Sequence, residues 1–119
     1  ENGKLPSGEK FITVVKKLEK FNPLGIIASC VSVENLDQIT KDIKKIKVPF
    51  GFKINAFEHI PAGWKPDANN PKVQLGTRHD LSPKKFLKVC QRLRKKGAKI
   101  IGGCCEITPT HIKEIKNFI

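Results

Sequence analysis

Three short apolar runs, each separated from the next by a helical pattern, place the strongest constraint on the fold of this chain. The runs lie at residues 24–28, 48–54 and 99–102. A short apolar run, above all the unbroken one at 24–28, is typical of a strand buried on both faces. Parallel strands need a long crossover between them, and the intervening helical patterns supply it. The sequence therefore predicts an α/β fold with three βα units, parallel strands and one preceding helix.

Four helices are predicted from apolar residues that recur every three or four positions. Ser7 and Ser32 are suited to cap the first two helices. The third and fourth begin at Ser82-Pro83 and Thr108-Pro109, where a capping residue precedes a proline in the first turn. The residues expected to face the core are Phe11, Val14, Val15 and Leu18, then Leu36, Ile39, Ile43 and Ile46, then Phe86, Leu87, Val89, Cys90 and Leu93, and finally Ile112, Ile115 and Phe118.

The longest irregular segment covers residues 56–81, between the second strand and the third helix. It contains Pro61, Gly63, Pro66, Pro71 and Gly76 together with the single tryptophan, Trp64. A loop of this length in a compact domain is usually functional or disordered. Trp64 either packs against the protein or offers its ring face to a quaternary cation, and Arg78 with Asp80 is expected to form a structural ion pair.

The charge of the chain is strongly positive, at +12 for 119 residues, with 23 lysines and arginines against 11 acidic residues. A polyanionic partner such as nucleic acid is one interpretation. The lysines, however, fall on the polar faces of the predicted helices and no aromatic residues alternate with them, which favours a solvated basic surface over nucleic-acid binding.

The termini and the apolar runs bear on the location of the protein. No run reaches the roughly 20 residues that a membrane span needs, and the N-terminus is too polar for a secretory leader. We therefore expect a cytoplasmic protein with no membrane partner. The length fits one domain, but the first residue is Glu1 and methionine is absent, so we expect the chain to be part of a longer protein.

The cysteines are the residues that carry chemistry. Cys30 follows the first strand, Asn55 the second, and Cys104-Cys105 the third, and the carboxyl ends of parallel strands share one edge. Three thiolates at one edge match a catalytic zinc site with its fourth position open to a substrate. Taken alone, Cys30 is more simply explained as a small apolar residue at a strand end, and the pair could be buried thiols beside the Gly102-Gly103 turn. Cys90 lies on the inward face of the third helix and is assigned to the core.

A family resemblance rests on the same residues. The segment Ile101–Cys105, reading IGGCC, and the following Thr108–Ile112, reading TPTHI, resemble the C-terminal signature of the homocysteine S-methyltransferases. Ile27–Cys30 resembles an earlier motif of that family, with Ser29 where the family has asparagine, and Gly76–Asp80 resembles a segment of its betaine-using branch. The resemblance covers essentially the whole chain.

The resemblance implies a zinc-dependent (β/α)8 barrel, of which residues 1–119 would be the C-terminal, homocysteine-binding part. The family's metal ligands carry over to Cys30, Cys104 and Cys105. From their place at the same edge, Asn55, Gly102 and Gly103 are expected to contact substrate; the alternatives are a turn-forming asparagine and glycines that serve only a tight turn. Homocysteine and an onium methyl donor such as betaine are the implied substrates. Only three of eight strands are present, so the implied partner is the N-terminal half of the barrel or a second chain, and we expect this chain alone to be inactive. The alternative is a non-catalytic metal-binding or assembly module that completes its barrel with another chain.

Overall fold

In the computed structural model, which describes residues 3–61, 64 and 75–118, three parallel strands form one sheet in the order β1-β2-β3. The strands and helices are α1 (Phe11–Glu19), β1 (Ile26–Val31), α2 (Leu36–Thr40), β2 (Phe50–Ile54), α3 (Pro83–Lys95), β3 (Ile100–Gly103) and α4 (Pro109–Ile115), with 3-10 turns at Val33–Asn35 and Ile43–Lys45. Each strand lies beside its predecessor in the chain. The predicted α/β class is confirmed, and the arrangement is consistent with consecutive βα units of a TIM-like barrel.

The two faces of the sheet differ in burial. Phe50, Phe52 and Ile54 on β2 are almost completely buried, and the rings of Phe50 and Phe52 pack edge to face at 5.2 Å. Phe11 of α1 packs on Phe50 in the same way at 5.6 Å. On the other face, Ile27 keeps 43% of its surface exposed. The core therefore lies between one face of the sheet and the helices, and the expectation that β1 is buried on both faces is wrong within the described residues.

The third and fourth helices begin where the sequence predicts. The Ser82 hydroxyl accepts a hydrogen bond from the Lys85 amide at 3.4 Å, and Thr108 forms a reciprocal cap with His111 at the start of α4. Cys90 is fully buried in α3, as predicted. In α4, however, His111 and Ile115 are the buried residues, whereas Ile112 is 42% exposed.

The first two helices differ from the prediction. Helix α1 begins at Phe11 after Lys10 with no side-chain cap, and the Ser7 hydroxyl bonds to the nearby Glu9 carboxylate and not to a helix amide. The second predicted helix is broken into a short α-helix between two 3-10 turns. The Thr40 hydroxyl donates to the Asp37 carbonyl at 3.1 Å, and such local bonds compete with the helical pattern.

The long loop after β2 is closed at its base. Phe57 and Thr77 form an antiparallel bridge, and the Glu58 amide donates to the Gly76 carbonyl at 3.2 Å. Gly63, Pro66 and Pro71 lie outside the described residues. In the described ranges, no helix has the length and apolar character needed to cross a bilayer.

Candidate metal centre

Cys30 is placed by an irregularity near the end of β1. Ala28 pairs with Phe52 and Val31 with Ile54, so Ser29 and Cys30 together stand opposite the single residue Lys53. Two residues opposite one define a β-bulge, which bends a strand and redirects a side chain. Cys30 has a φ of 56°, in the left-handed region that residues with a side chain seldom occupy. The bulge therefore directs the Cys30 thiol toward the carboxyl edge of the sheet, and it does so through a strained backbone conformation at Cys30.

Asn55 holds this strained residue in place. Its side chain is completely buried, its amide group donates to the Cys30 carbonyl at 2.7 Å, and its amide oxygen accepts from the Phe57 backbone at 3.2 Å. The Asn55 amide nitrogen also lies 3.7 Å from the Cys30 sulfur. The predicted site residue at the end of β2 thus supports the first cysteine directly.

The tandem cysteines are positioned by backbone bonds that extend the pairing of β2 with β3. The Cys104 amide donates to the Ile54 carbonyl at 2.8 Å, and the Ala56 amide donates to the Cys105 carbonyl at 2.9 Å. Beyond them the Ile107 amide donates to the Cys104 carbonyl at 3.2 Å, which closes a turn before α4. Both thiols are consequently held at the same edge of the sheet as Cys30.

The three sulfur atoms form one cluster. The Cys105 sulfur lies 3.8 Å from that of Cys30 and 3.9 Å from that of Cys104, and all three lie within 4.8 Å of one another. Zinc–sulfur bonds of about 2.3 Å at tetrahedral angles separate sulfur atoms by about 3.8 Å. Since a disulfide needs sulfurs at about 2.05 Å, the cysteines are free thiols whose spacing suits a metal. The cluster can hold a metal ion.

The thiols of Cys30 and Cys104 differ in the direction in which their surroundings shift the pKa. Burial, together with hydrogen bonds to Cys104 and Cys105, raises the pKa of the Cys30 thiol from 9.0 to about 12. Burial acts to raise the pKa of the Cys104 thiol as well. Hydrogen bonds with Cys30 and Cys105, together with the positive charge of Lys53, act in the opposite direction and leave this pKa below its usual value. A metal that binds here must displace the proton of Cys30, so binding depends on pH.

Comparison with known proteins decides the family. The family model described as homocysteine S-methyltransferase matches residues 1–119, the whole chain. The chain belongs to the homocysteine S-methyltransferase family. A search of curated proteins found no match.

The cysteine cluster is compatible with membership of this family, because the thiolate is the form of sulfur that acts as a nucleophile and binds a metal. The two glycines of its motif differ in their surroundings. A side chain at Gly103 would collide with Ile107 at 2.3 Å, whereas one at Gly102 would meet nothing within 4 Å among the described residues. Gly103 is thus required for packing, and Gly102 leaves open space on the uncovered face of the sheet.

The site of this methyltransferase-family chain is braced by Arg78. Its guanidinium binds Asp80 at 2.9 Å, as predicted, and also Glu34 at 2.6 Å, which lies just after β1. The Arg78 amide donates to the Ala56 carbonyl at 2.9 Å. Arg78 therefore ties the segment after β1 to the loop after β2.

Two features of the site were not predicted from the sequence. The bulge at Cys30 has no local signal, because neither glycine nor a proline marks it. The other is the partner of the buried His111 side chain, whose Nε2 lies 2.8 Å from the Leu81 carbonyl and whose ring packs edge to face on Phe86 of α3 at 5.6 Å. The pairing of His111 with Thr108 as a cap could have suggested its role, because a side chain three residues after a capping threonine often bonds back to it.

Proposed function

We propose that this chain is the metal-binding, C-terminal part of a homocysteine-binding (β/α)8 domain that spans residues 1–119 here. The enzyme would transfer a methyl group to the thiol of homocysteine and so form methionine. The observation that carries the proposal is the convergence of Cys30 with Cys104 and Cys105, 74 and 75 residues away in sequence, in a chain of this family. The methyl donor would be betaine or a related onium compound.

The cofactor of the proposed reaction is zinc, bound by Cys30, Cys104 and Cys105. Bound zinc would lower the pKa of a substrate thiol, so that a nucleophilic thiolate exists near neutral pH. The chain itself holds the ligands: Asn55 fixes the backbone of Cys30, and the β2 edge fixes the tandem cysteines. Asn55, Gly102 and Gly103 remain the proposed substrate contacts, and the open space at Gly102 supports its part in that set.

The rest of the barrel is the proposed partner. Within the described ranges, β1 and β3 each pair only with β2, and one face of the sheet carries the exposed Ile27. Unpaired edges and an uncovered apolar residue favour further strands beside this sheet. Those strands would come from the N-terminal half of the barrel or from a second chain, and the second source is compatible with a non-catalytic assembly module.

Metal analysis tests the proposal. We expect purified protein to retain about one zinc per chain by elemental analysis, and Cys104→Ala to lose it, because two thiols bind zinc far more weakly than three. Cys90→Ala is the matched control, since Cys90 is a buried thiol in α3 outside the cluster. Equal zinc content in the wild type and in Cys104→Ala would overturn the proposed site.

Thiol binding separates the enzyme from the assembly module. Replacement of zinc by Co²⁺ gives a coloured thiolate centre whose absorption changes when another thiolate binds. We expect homocysteine to change the spectrum of the Co²⁺-loaded protein. An unchanged spectrum at millimolar homocysteine would instead favour a metal site without a catalytic role.

A further inference from the structure

The segment before α1 folds into a hairpin that brings two lysines together. Lys4 and Lys10 form an antiparallel bridge. The backbone hydrogen bonds lie on either side of this pair, at 2.9 Å from the Leu5 amide to the Glu9 carbonyl and at 2.9 Å from the Phe11 amide to the Gly3 carbonyl. Opposed residues flanked in this way are the close kind of pair, with Cα atoms about 4.5 Å apart and both side chains on one side. Since like charges directly opposite one another are destabilising, the hairpin holds two cations in an unfavourable arrangement.

A second pair of lysines lines the same cleft as this hairpin. Lys41 directly follows α2, and Lys45 ends the 3-10 turn after it. The cleft has a volume of about 400 Å³, and Ile12 of α1 contributes an apolar side chain to its lining. A volume of this size is within the range of small-molecule sites in proteins. The residues that line the cleft include none of the three clustered cysteines, so it is a different place from the candidate metal centre.

The cleft carries an excess of positive charge. Four lysines and one acidic residue, Asp42, line it, which gives its walls a net charge of +3. Asp42 is already bound to Lys45 at 2.6 Å. Lys4, Lys10 and Lys41 form no salt bridge with any residue that the structure describes. A concave surface of one sign focuses its field on the space within it, so the cleft is suited to an anion.

We infer that this cleft binds a ligand with several adjacent phosphate groups, either an inorganic polyphosphate or the polyphosphate part of a nucleotide. An ammonium group binds phosphate as a point charge, and lysines from two segments of the chain can neutralise neighbouring phosphates at once. An anion between Lys4 and Lys10 also removes the repulsion within the hairpin. A nucleic acid strand is a poorer match, because no aromatic side chain for stacking is found among the described residues of the lining.

Calorimetric titration with sodium tripolyphosphate, in 150 mM sodium chloride, tests the inference. We expect Lys10→Gln/Lys41→Gln to bind tripolyphosphate at least tenfold more weakly than the wild type, because two charged contacts are lost. Orthophosphate should bind the wild type at least tenfold more weakly than tripolyphosphate, since one phosphate cannot reach both pairs of lysines. A titration with ATP identifies the source: tighter binding than tripolyphosphate indicates a nucleotide, and equal or weaker binding indicates an inorganic polyphosphate.

Lys84→Gln/Lys88→Gln is the matched control. These two lysines are exposed on α3, are four residues apart like the second pair, and lie outside the cleft. The control has the same net charge as the test variant and should bind tripolyphosphate like the wild type. All four replaced lysines are exposed, so both variants should fold.

Three results would contradict the inference. The first is no measurable binding of millimolar tripolyphosphate to the wild type. The second is an equal loss in the two double variants, because binding would then follow net charge and not the cleft. The third is tighter binding of a single-stranded oligonucleotide than of tripolyphosphate and ATP, which would indicate a nucleic-acid surface. The titrations are repeated in Cys104→Ala, where tripolyphosphate cannot withdraw zinc from an intact cluster, so the outcome does not depend on the proposed function.

Discussion

Cys30 adopts a left-handed backbone conformation, with a φ of 56°, at the position that completes the cysteine cluster. Such a conformation costs a residue with a side chain about 1 kcal/mol or more. The hydrogen bond of 2.7 Å from Asn55 to the Cys30 carbonyl offsets part of that cost. The position of one proposed metal ligand is therefore maintained by a buried neighbour 25 residues away.

Replacement of Asn55 should affect both the metal and the fold. We expect Asn55→Ala to weaken metal binding at least tenfold, because the bond from Asn55 orients Cys30. We also expect it to lower the free energy of unfolding by about 2 kcal/mol, because the partly buried Cys30 carbonyl and Phe57 amide lose their partner. Chelator competition and chemical denaturation measure the two effects. Asn35→Ala removes a local bond to Ser32 outside the site and is the control. Wild-type metal affinity in Asn55→Ala would contradict the role assigned to it.

Cys90 should make the stability of the metal-free protein depend on alkaline pH. Burial raises the pKa of its thiol from 9.0 to about 12, so above pH 9 the unfolded chain ionises this thiol while the folded chain keeps it protonated. Folding stability is therefore fully present below pH 9 and falls as the pH rises toward 12, by about 1 kcal/mol at pH 10. We expect denaturation of Cys90→Ala between pH 8 and 10.5 to show a smaller fall than the wild type. Parallel curves for the two proteins would argue against this assignment.

Strand β2 organises the site at the level of secondary structure. It is the central strand, it contributes three nearly inaccessible residues to the core, and Asn55 and Ala56, just after its end, bond to the backbones of Cys30 and Cys105. The spacing between β2 and β3 is set by Gly51, where an added Cβ would lie 1.9 Å from the Ile100 carbonyl oxygen. The position of the tandem cysteines relative to β2 consequently depends on Gly51, which lies at the opposite end of the β2–β3 pairing.

Alanine at Gly51 should separate β2 from β3, whereas alanine at Gly102 should not. We expect Gly51→Ala to lower the free energy of unfolding by about 3 kcal/mol or more, because backbone atoms cannot yield as a flexible side chain can. Gly102→Ala meets nothing within 4 Å among the described residues and should remain within about 1 kcal/mol of the wild type. Thermal or urea unfolding of the two variants checks the comparison. Equal stability of both would show that the strands accommodate the extra carbon.

At the scale of the whole molecule, a metal ion at the cysteine cluster would connect the two outer strands of the described sheet. Cys30 belongs to β1 and the tandem cysteines follow β3, so an ion bound by all three links the edges of the sheet across β2. A ligand that binds only the folded chain stabilises it by mass action. Metal binding is therefore expected to act on global stability and not on the site alone.

Zinc should raise the melting temperature of the protein. At a free zinc concentration about a hundred times the Kd, we expect a stabilisation of about 3 kcal/mol and an increase in Tm of roughly 10 °C. Differential scanning calorimetry with zinc and with a chelator measures this difference. Cys104→Ala should show no zinc-dependent increase, and the Cys90→Ala control should retain it. A Tm of the wild type that is independent of zinc would contradict a link between the strands.

Local chemistry made much of the architecture predictable from the sequence. The apolar runs and helical spacing predicted the parallel α/β class, and Ser82-Pro83 and Thr108-Pro109 predicted the starts of α3 and α4, because caps and proline act within one turn. The convergence of Cys30 with the tandem cysteines was also predictable, since parallel strands end at one edge.

Other features depended on contacts between residues that are distant in sequence. The bulge at Cys30 follows from its pairing with β2 and its bond to Asn55, and the burial of His111 follows from its bond to Leu81. The exposure of Ile27 and Lys53 was decided by the absence of a covering layer on their face among the described residues. The sequence by itself determined which residues form strands and which thiols share an edge, because those properties are local or follow from strand direction. Only the tertiary structure decided how each thiol is aimed and which face of the sheet stays open, because partners far along the chain set both.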